Sequence, residues 1–168
     1  MIKKITFALV VLLVAIQFVP MEKNDSGTND FDITKNYQVP EHVATIMKGA
    51  CNDCHTNTTK YPWYSNIQPV GFWLNHHTND GKGHLNFSEF TSLPLRVQNH
   101  KFEEIIEMVE SGEMPLPSYT YLGLHPEANL SEEDRKAVVD WAKEQMALLA
   151  ATYPADSLKM KPRPTPAQ

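Results

Sequence analysis

Cysteine is scarce in this chain. Of 168 residues only two are cysteine, Cys51 and Cys54. Two thiols exclude a multi-bridge disulfide framework. They also exclude an all-thiolate zinc or iron–sulfur site, which takes about four ligands. Basic residues are few as well. Fifteen Lys and Arg face 20 Asp and Glu, for a net charge of −5, which becomes −7 without Lys3 and Lys4. No basic patch is left for nucleic acid, and an acidic surface of this kind is either simply solvated or suited to a basic protein partner. Convincing period-two alternation is missing, so strands should be few. No internal repeat is found. Long apolar runs are limited to one, Ile5 to Val19, broken only by Thr6 and Gln17.

That run follows Lys3 and Lys4, the pattern of a basic n-region before an apolar h-region. The positive end stays in the cytoplasm, which directs the remainder outward, to the periplasmic side of the inner membrane. No A-x-A-like cleavage site follows it. The run would span about 22 Å as a helix, against a hydrocarbon core of roughly 30 Å. Residues 1–20 are read as a signal peptide or, in preference, as an uncleaved anchor.

The two cysteines lie together in Cys51-Asn52-Asp53-Cys54-His55. This C-x-x-C-H spacing is the attachment signature of c-type haem. Thiols three residues apart can each bond one vinyl-derived carbon on the same side of a porphyrin. His55 then offers a neutral imidazole nitrogen to the iron as proximal ligand. Other readings of the five residues are weaker. A thioredoxin-type pair sits at a helix start after an apolar strand, whereas Thr45 to Ala50 reads as helix. A zinc site would have to recruit distant histidines. A plain disulfide is the third alternative. With no second C-x-x-C-H, one covalent haem is expected.

Residues 21–37 are polar and read as a tether. Residues 38–155 form the folded domain. Residues 156–168 carry Lys161-Pro162-Arg163-Pro164-Thr165-Pro166 and read as a Pro-rich disordered tail. Within the domain the pattern is helical. Pro40 fits a first helical position, and Val43, Ile46, Met47 and Ala50 form a single stripe leading into the motif. Phe102, Ile105, Ile106 and Val109 mark a helix from about Leu95 to Ser111, stopped by Gly112. Ser131 with Asp134 caps a last helix whose stripe is Val138, Trp141, Ala142, Met146 and Leu149, closed by Pro154. A shorter helix from Pro69 would place Val70, Trp73, Leu74 and His77 on its inner face. Asn86 with Glu89 reads as a further cap.

This order resembles class I cytochrome c: an all-α fold, with a helix before C-x-x-C-H, helices wrapped around the haem, and a C-terminal helix crossing the first. The resemblance implies a distal methionine. Met114, in Gly112-Glu113-Met114-Pro115-Leu116-Pro117, is the candidate, because proline fixes φ and can hold a thioether at a set distance. Met47, Met108 and Met146 are better explained as helix positions. The rival is a distal histidine, His77 first and His76 second. An open sixth position is the third possibility. His84, His100 and His125 are expected to be exposed.

A closer resemblance rests on several blocks together: Cys51 to His55, Tyr61-Pro62-Trp63-Tyr64, Asn66-Ile67-Gln68-Pro69-Val70-Gly71, His84 to Glu89, and Gly112 to Tyr119. They resemble a bacterial haem-binding domain family of mono-haem c-type proteins, and this implies redox work with partner proteins. Trp63, Tyr64, Phe72 and Trp73 can wall the haem or form ordinary core, with a Trp N–H or a Tyr hydroxyl reaching a propionate. In class I cytochromes a proline carbonyl receives the proximal histidine's second N–H, and Pro62 is the nearest candidate for that role. The expected function is one-electron transfer rather than catalysis. The alternatives are a haem-based sensor or peroxidase-like protein with an open or displaceable sixth site, and a haem-free interaction module.

Overall fold

The computed structural model describes residues 1–161. Residues 162–168, the rest of the expected Pro-rich tail, lie outside the described residues. Among the described residues the chain is all helical, with no strand. The helices are α1 (Ile2–Ile16), α2 (Glu41–Ala50), α3 (Asn52–His55), α4 (Val70–His84), α5 (Leu95–Ser111), α6 (Pro117–Thr120), α7 (Glu132–Thr152) and α8 (Ala155–Leu158). None of them is long and apolar enough to cross a membrane.

The expected stripes build the core. Val43, Ile46 and Met47 of α2, Phe102, Ile105 and Val109 of α5, and Val138, Trp141, Ala142 and Leu149 of α7 are all buried. The antiparallel α5–α7 pair is the main packing contact, and α2 lies against α7. An aromatic cluster fills the centre. Tyr37 meets Phe90 and Phe102 edge-on, with ring centroids 5.6 and 5.0 Å apart, and Phe102 meets Trp141 at 5.7 Å. Trp141 Nε1 is also satisfied, donating to the Gln38 carbonyl at 2.9 Å.

The helix ends follow local chemistry. Pro40 is the N-cap of α2 rather than its first residue. Gly112 closes α5 at φ +77°, a left-handed conformation that glycine reaches without a Cβ penalty. Ser131 and Asp134 exchange both bonds of a capping box at the start of α7.

Three segments differ from the expectation. Residues 21–37 do not behave as a free tether, since Asn24, Ile33 and Tyr37 are buried. The Asn24 amide donates to the Thr56 carbonyl (2.8 Å) and to Thr59 Oγ1 (2.9 Å), and its Oδ1 accepts from Lys82 Nζ. One amide satisfied this fully holds a polar segment to the domain. The expected tail begins with α8, whose Leu158 packs against the core cluster.

The third difference is the inner face of α4. Val70 and Trp73 stay exposed, and Gly71 and Thr78 are the buried residues. The reason is close approach. A Cβ on Gly71 would lie 2.3 Å from the Ser65 carbonyl oxygen, and one on Gly81 would lie 2.9 Å from that of Cys54. Small residues, not the apolar stripe, face the neighbouring chain. The helix also runs through Gly81 and Gly83 to His84.

Candidate functional site: the C-x-x-C-H turn

Cys51 ends α2 and caps α3, so the motif is one helical turn added to a packed helix. The Cys51 carbonyl accepts from the amides of Cys54 (3.2 Å) and His55 (3.0 Å). Residues three apart on a turn share a side, which brings the two thiols to one face. Both are free. Burial, then the neighbouring thiol, pushes Cys51 up to about 12. Burial, then Asp53, pushes Cys54 up to about 11. Both are therefore neutral thiols at pH 7. A redox-exchange C-x-x-C depends on a lowered thiol pKa, and this pair has the opposite. Nor, among the described residues, do three or more His, Cys, Asp or Glu side chains gather as metal ligands. A zinc site has no ligand set here.

His55 carries the decisive geometry. Its Nδ1–H donates to the Leu85 carbonyl at 2.9 Å. A carbonyl can only accept, so the proton sits on Nδ1, and Nε2 keeps its lone pair. Burial pushes the imidazole below its ordinary pKa, although the carbonyls of Leu85 and Gly81 pull the other way. A half-buried, neutral imidazole with a fixed tautomer is what an iron ligand requires. The partner differs from the one expected. The Pro62 carbonyl is engaged by the Ser65 amide (3.0 Å) and hydroxyl (2.6 Å), because it starts the short 3-10 turn Trp63–Asn66.

Asp53, between the cysteines, organises the surroundings. Its Oδ1 accepts from the Lys60 amide and its Oδ2 from Tyr119 Oη, each at 2.9 Å. Burial, then Asp53, raises the Tyr119 phenol, so it remains a proton donor. The Tyr119 ring stacks on His125, with centroids 3.9 Å apart and planes 10° from parallel. His125 Nδ1 donates to Glu127 Oε1 (3.3 Å), and Nε2 accepts from the Tyr64 hydroxyl (2.8 Å). His125 was expected to be exposed, but stacking and two hydrogen bonds leave its side chain only 12% exposed. His84 is exposed as expected, and His100 is partly covered between Glu103 and Glu104.

Met114 is half-buried on the loop between α5 and α6. Its amide donates to the Met108 carbonyl at 3.0 Å. Its carbonyl accepts from Arg135 Nη1 at 3.0 Å, and the same nitrogen reaches the Val109 carbonyl at 3.2 Å. The loop is thus clamped to both long helices. His77 is half-buried, donates from Nδ1 to the Trp73 carbonyl (3.0 Å) and lies 4.4 Å from the Trp73 ring. His76 is exposed.

Leu85, Arg135 and the Tyr119–His125 pair were not identified from the sequence. A backbone acceptor has no side-chain signature, and Arg135 resembles any charge on a helix surface. Tyr119 could have been noticed as an aromatic in the same block as Met114.

Among the described residues, Asn52 Oδ1 is a buried acceptor that no protein group satisfies. Buried polar atoms are rarely left so, and the motif turn keeps bonding capacity beyond the protein's own. Two neutral thiols on one side of a turn, followed by a ligand-ready imidazole, fit a haem.

The fold and this turn define a helical haem-binding protein. A family model described as haem-binding domain matches residues 11–144, and the chain belongs to that family. Neither the curated proteins nor the solved structures give a match.

Proposed function

We propose that this is an exported c-type protein holding one covalent haem and carrying single electrons between redox partner proteins. The observation that carries the reading is the His55 Nδ1–Leu85 hydrogen bond, which leaves Nε2 available beside two neutral thiols. Bound there, haem supplies a one-electron Fe(III)/Fe(II) couple. The chain's residues do the rest. Cys51 and Cys54 would hold the group through thioethers, and His55 would ligate its iron. The Leu85 carbonyl fixes the ring's tautomer and its rotation about Cβ. Met114 is the distal ligand of choice, and its support is the Arg135 clamp on its own peptide. With His55 and Met114 both held by the protein, ligation would change little on reduction, which would suit transfer over catalysis. His77, and behind it His76, is the alternative sixth ligand. An open site would turn the protein into a sensor or a peroxidase-like haem protein.

Export is proposed from Lys3, Lys4 and the apolar α1, none of whose residues is buried against the domain. In this reading α1 with Gln17–Val19 is retained and holds the domain at the outer face of the inner membrane.

The test is optical. The protein is expressed with haem-attachment machinery, and the ferrous spectrum is recorded with and without carbon monoxide. Haem that survives denaturation and ferrous iron that stays indifferent to carbon monoxide are expected. Ready binding by the unaltered protein moves the function to the open-site class. A chain carrying no haem leaves only the interaction-module reading.

A further inference from the structure

Apolar side chains on the surface are not confined to α1. Trp63 is 75% exposed, Ile67 47%, Val70 39% and Trp73 44%. They sit on two adjoining elements, the Trp63–Asn66 turn with the residue after it and the first turn of α4. Gln68 lies between these elements, and it is where α1 is tied down. Gln17 Nε2 donates to the Gln68 carbonyl (3.0 Å), and the Gln68 amide donates to Gln17 Oε1 (2.9 Å). These four side chains therefore flank the point where the exposed apolar helix is fastened, while Tyr121, Leu124, Leu148 and other exposed apolar residues lie elsewhere on the domain. Lys23 is on the same side, with its Nζ 3.4 Å from Asn66 Oδ1 and 5.5 Å from the centre of the Tyr61 ring.

We infer that the Trp63–Ile67–Val70–Trp73 face rests on the lipid surface. The inference depends on the proposal that α1 is retained as an anchor. Its physical basis is length. The apolar part of α1, Ile5 to Ile16, covers about 18 Å as a helix, against a hydrocarbon core of roughly 30 Å. A short apolar segment is accommodated by local thinning and by drawing its flanking residues toward the bilayer. Tryptophan is favoured at that depth, with its ring among the acyl ends and its N–H among the headgroups. The Gln17–Gln68 pair makes this surface the flank that is drawn down. Lys23 can meet an anionic headgroup there. The consequence for function is orientation, since a tethered carrier lying on one face presents the rest of its surface to partners.

The test uses the full-length haem-loaded protein in vesicles of phosphatidylethanolamine and phosphatidylglycerol. A lipid-borne diazirine probe is photolysed, and labelled residues are located by peptide mass spectrometry. Label is expected on Trp63, Ile67, Val70 and Trp73 as well as on α1. In Ile67→Asp/Val70→Asp, label at Trp63 and Trp73 should fall several-fold while α1 stays labelled. These positions are exposed, so the variant keeps its core, and an unchanged haem spectrum checks this. Label confined to α1 overturns the docking face and leaves the anchor standing. Label on neither overturns the anchor reading and the inference with it. An unlabelled face in a protein that runs as a dimer in detergent assigns the patch to a second copy and overturns the lipid contact.

Discussion

Tyr119 Oη donates to Asp53 Oδ2 at 2.9 Å, across 66 positions of chain. Asp53 is one of the two residues between the cysteines, and Tyr119 lies five residues beyond Met114. The bond ties α6, which follows the Met114 loop, to the turn that carries His55. At its other end the loop is held by Arg135, so its span is fixed from both sides. His125 stacks on Tyr119 and keeps the phenol from rotating away.

Removing the hydroxyl isolates that tie. Tyr119→Phe keeps the stack on His125 and leaves a partly buried carboxylate with one fewer donor. A loss of about 1.5–3 kcal/mol is expected on thermal denaturation, the range for a hydrogen bond to a charged group. The loop should also open more often, seen as faster binding of carbon monoxide to the ferrous protein. An unaltered melting temperature together with an unaltered rate would show that the bond does not restrain the loop.

Met114→Ala should leave the haem attached and vacate its sixth position. Carbon monoxide should then bind readily, and the potential should drop by on the order of 100 mV, because thioether ligation favours ferrous iron. Met108→Ala, six residues earlier and half-buried, should cost roughly 1–2 kcal/mol of stability and spare the spectrum. If His77→Ala or His76→Ala moved spectrum and potential while Met114→Ala did not, histidine would be the sixth ligand.

The proposed covalent attachment would need both thiols. The double variant Cys51→Ala/Cys54→Ala should release all haem on a denaturing gel, and its intact mass should equal the bare chain. The parent should be heavier by one haem. A parent of bare-chain mass, expressed with the attachment machinery, would rule out thioethers.

Two glycines of α4 should respond in opposite ways to alanine. Gly83 has nothing within 4 Å of a built Cβ, so Gly83→Ala should stabilise by about 0.5–1 kcal/mol through helix propensity. At Gly81 the new methyl would meet the Cys54 carbonyl at 2.9 Å. Gly81→Ala should push α4 off the motif turn, lowering both stability and haem yield. Equal gains at the two sites would mean that α4 does not press on the motif.

The capping box of α7 gives an acid-sensitive contribution. The Ser131 side-chain and backbone bonds hold the Asp134 carboxyl below its usual range. A group whose folded pKa is depressed stabilises above its unfolded pKa, and that contribution is lost as pH falls through the folded value. Asp134→Asn should therefore flatten the acid limb of the stability curve at pH values below the ordinary carboxylate range. Ser131→Ala should cost about 1 kcal/mol at neutral pH. Calorimetry across the acid range reads both.

Much of this was legible in the residues themselves. Spacing of three and four placed α2, α5 and α7 and named their buried faces, because a helix against a core must carry its apolar groups on one stripe. Ser131 and Gly112 announced helix ends through chemistry local to a single turn. The C-x-x-C-H run made the haem reading available, since two thiols and an imidazole at that spacing need only one helical turn to converge.

What lay outside the sequence's reach was anything set by an approach between distant segments. The acceptor for His55 is a backbone carbonyl 30 residues on, and every residue offers the same group. Pro62 was the wrong choice because its carbonyl was already needed to start a turn. The packed side of α4 was misread for a similar reason. Periodicity reports where apolar groups lie, but Gly71 and Gly81 face inward because the neighbouring backbone comes too close for a Cβ. Val70 and Trp73 were left outside as a result. By itself the sequence determined the motif and the three core helices, through bonding and spacing within a few residues. Only the tertiary structure decided which carbonyl aims His55, which tyrosine holds Asp53 and which face of α4 meets solvent, since each depends on packing between residues far apart in the chain.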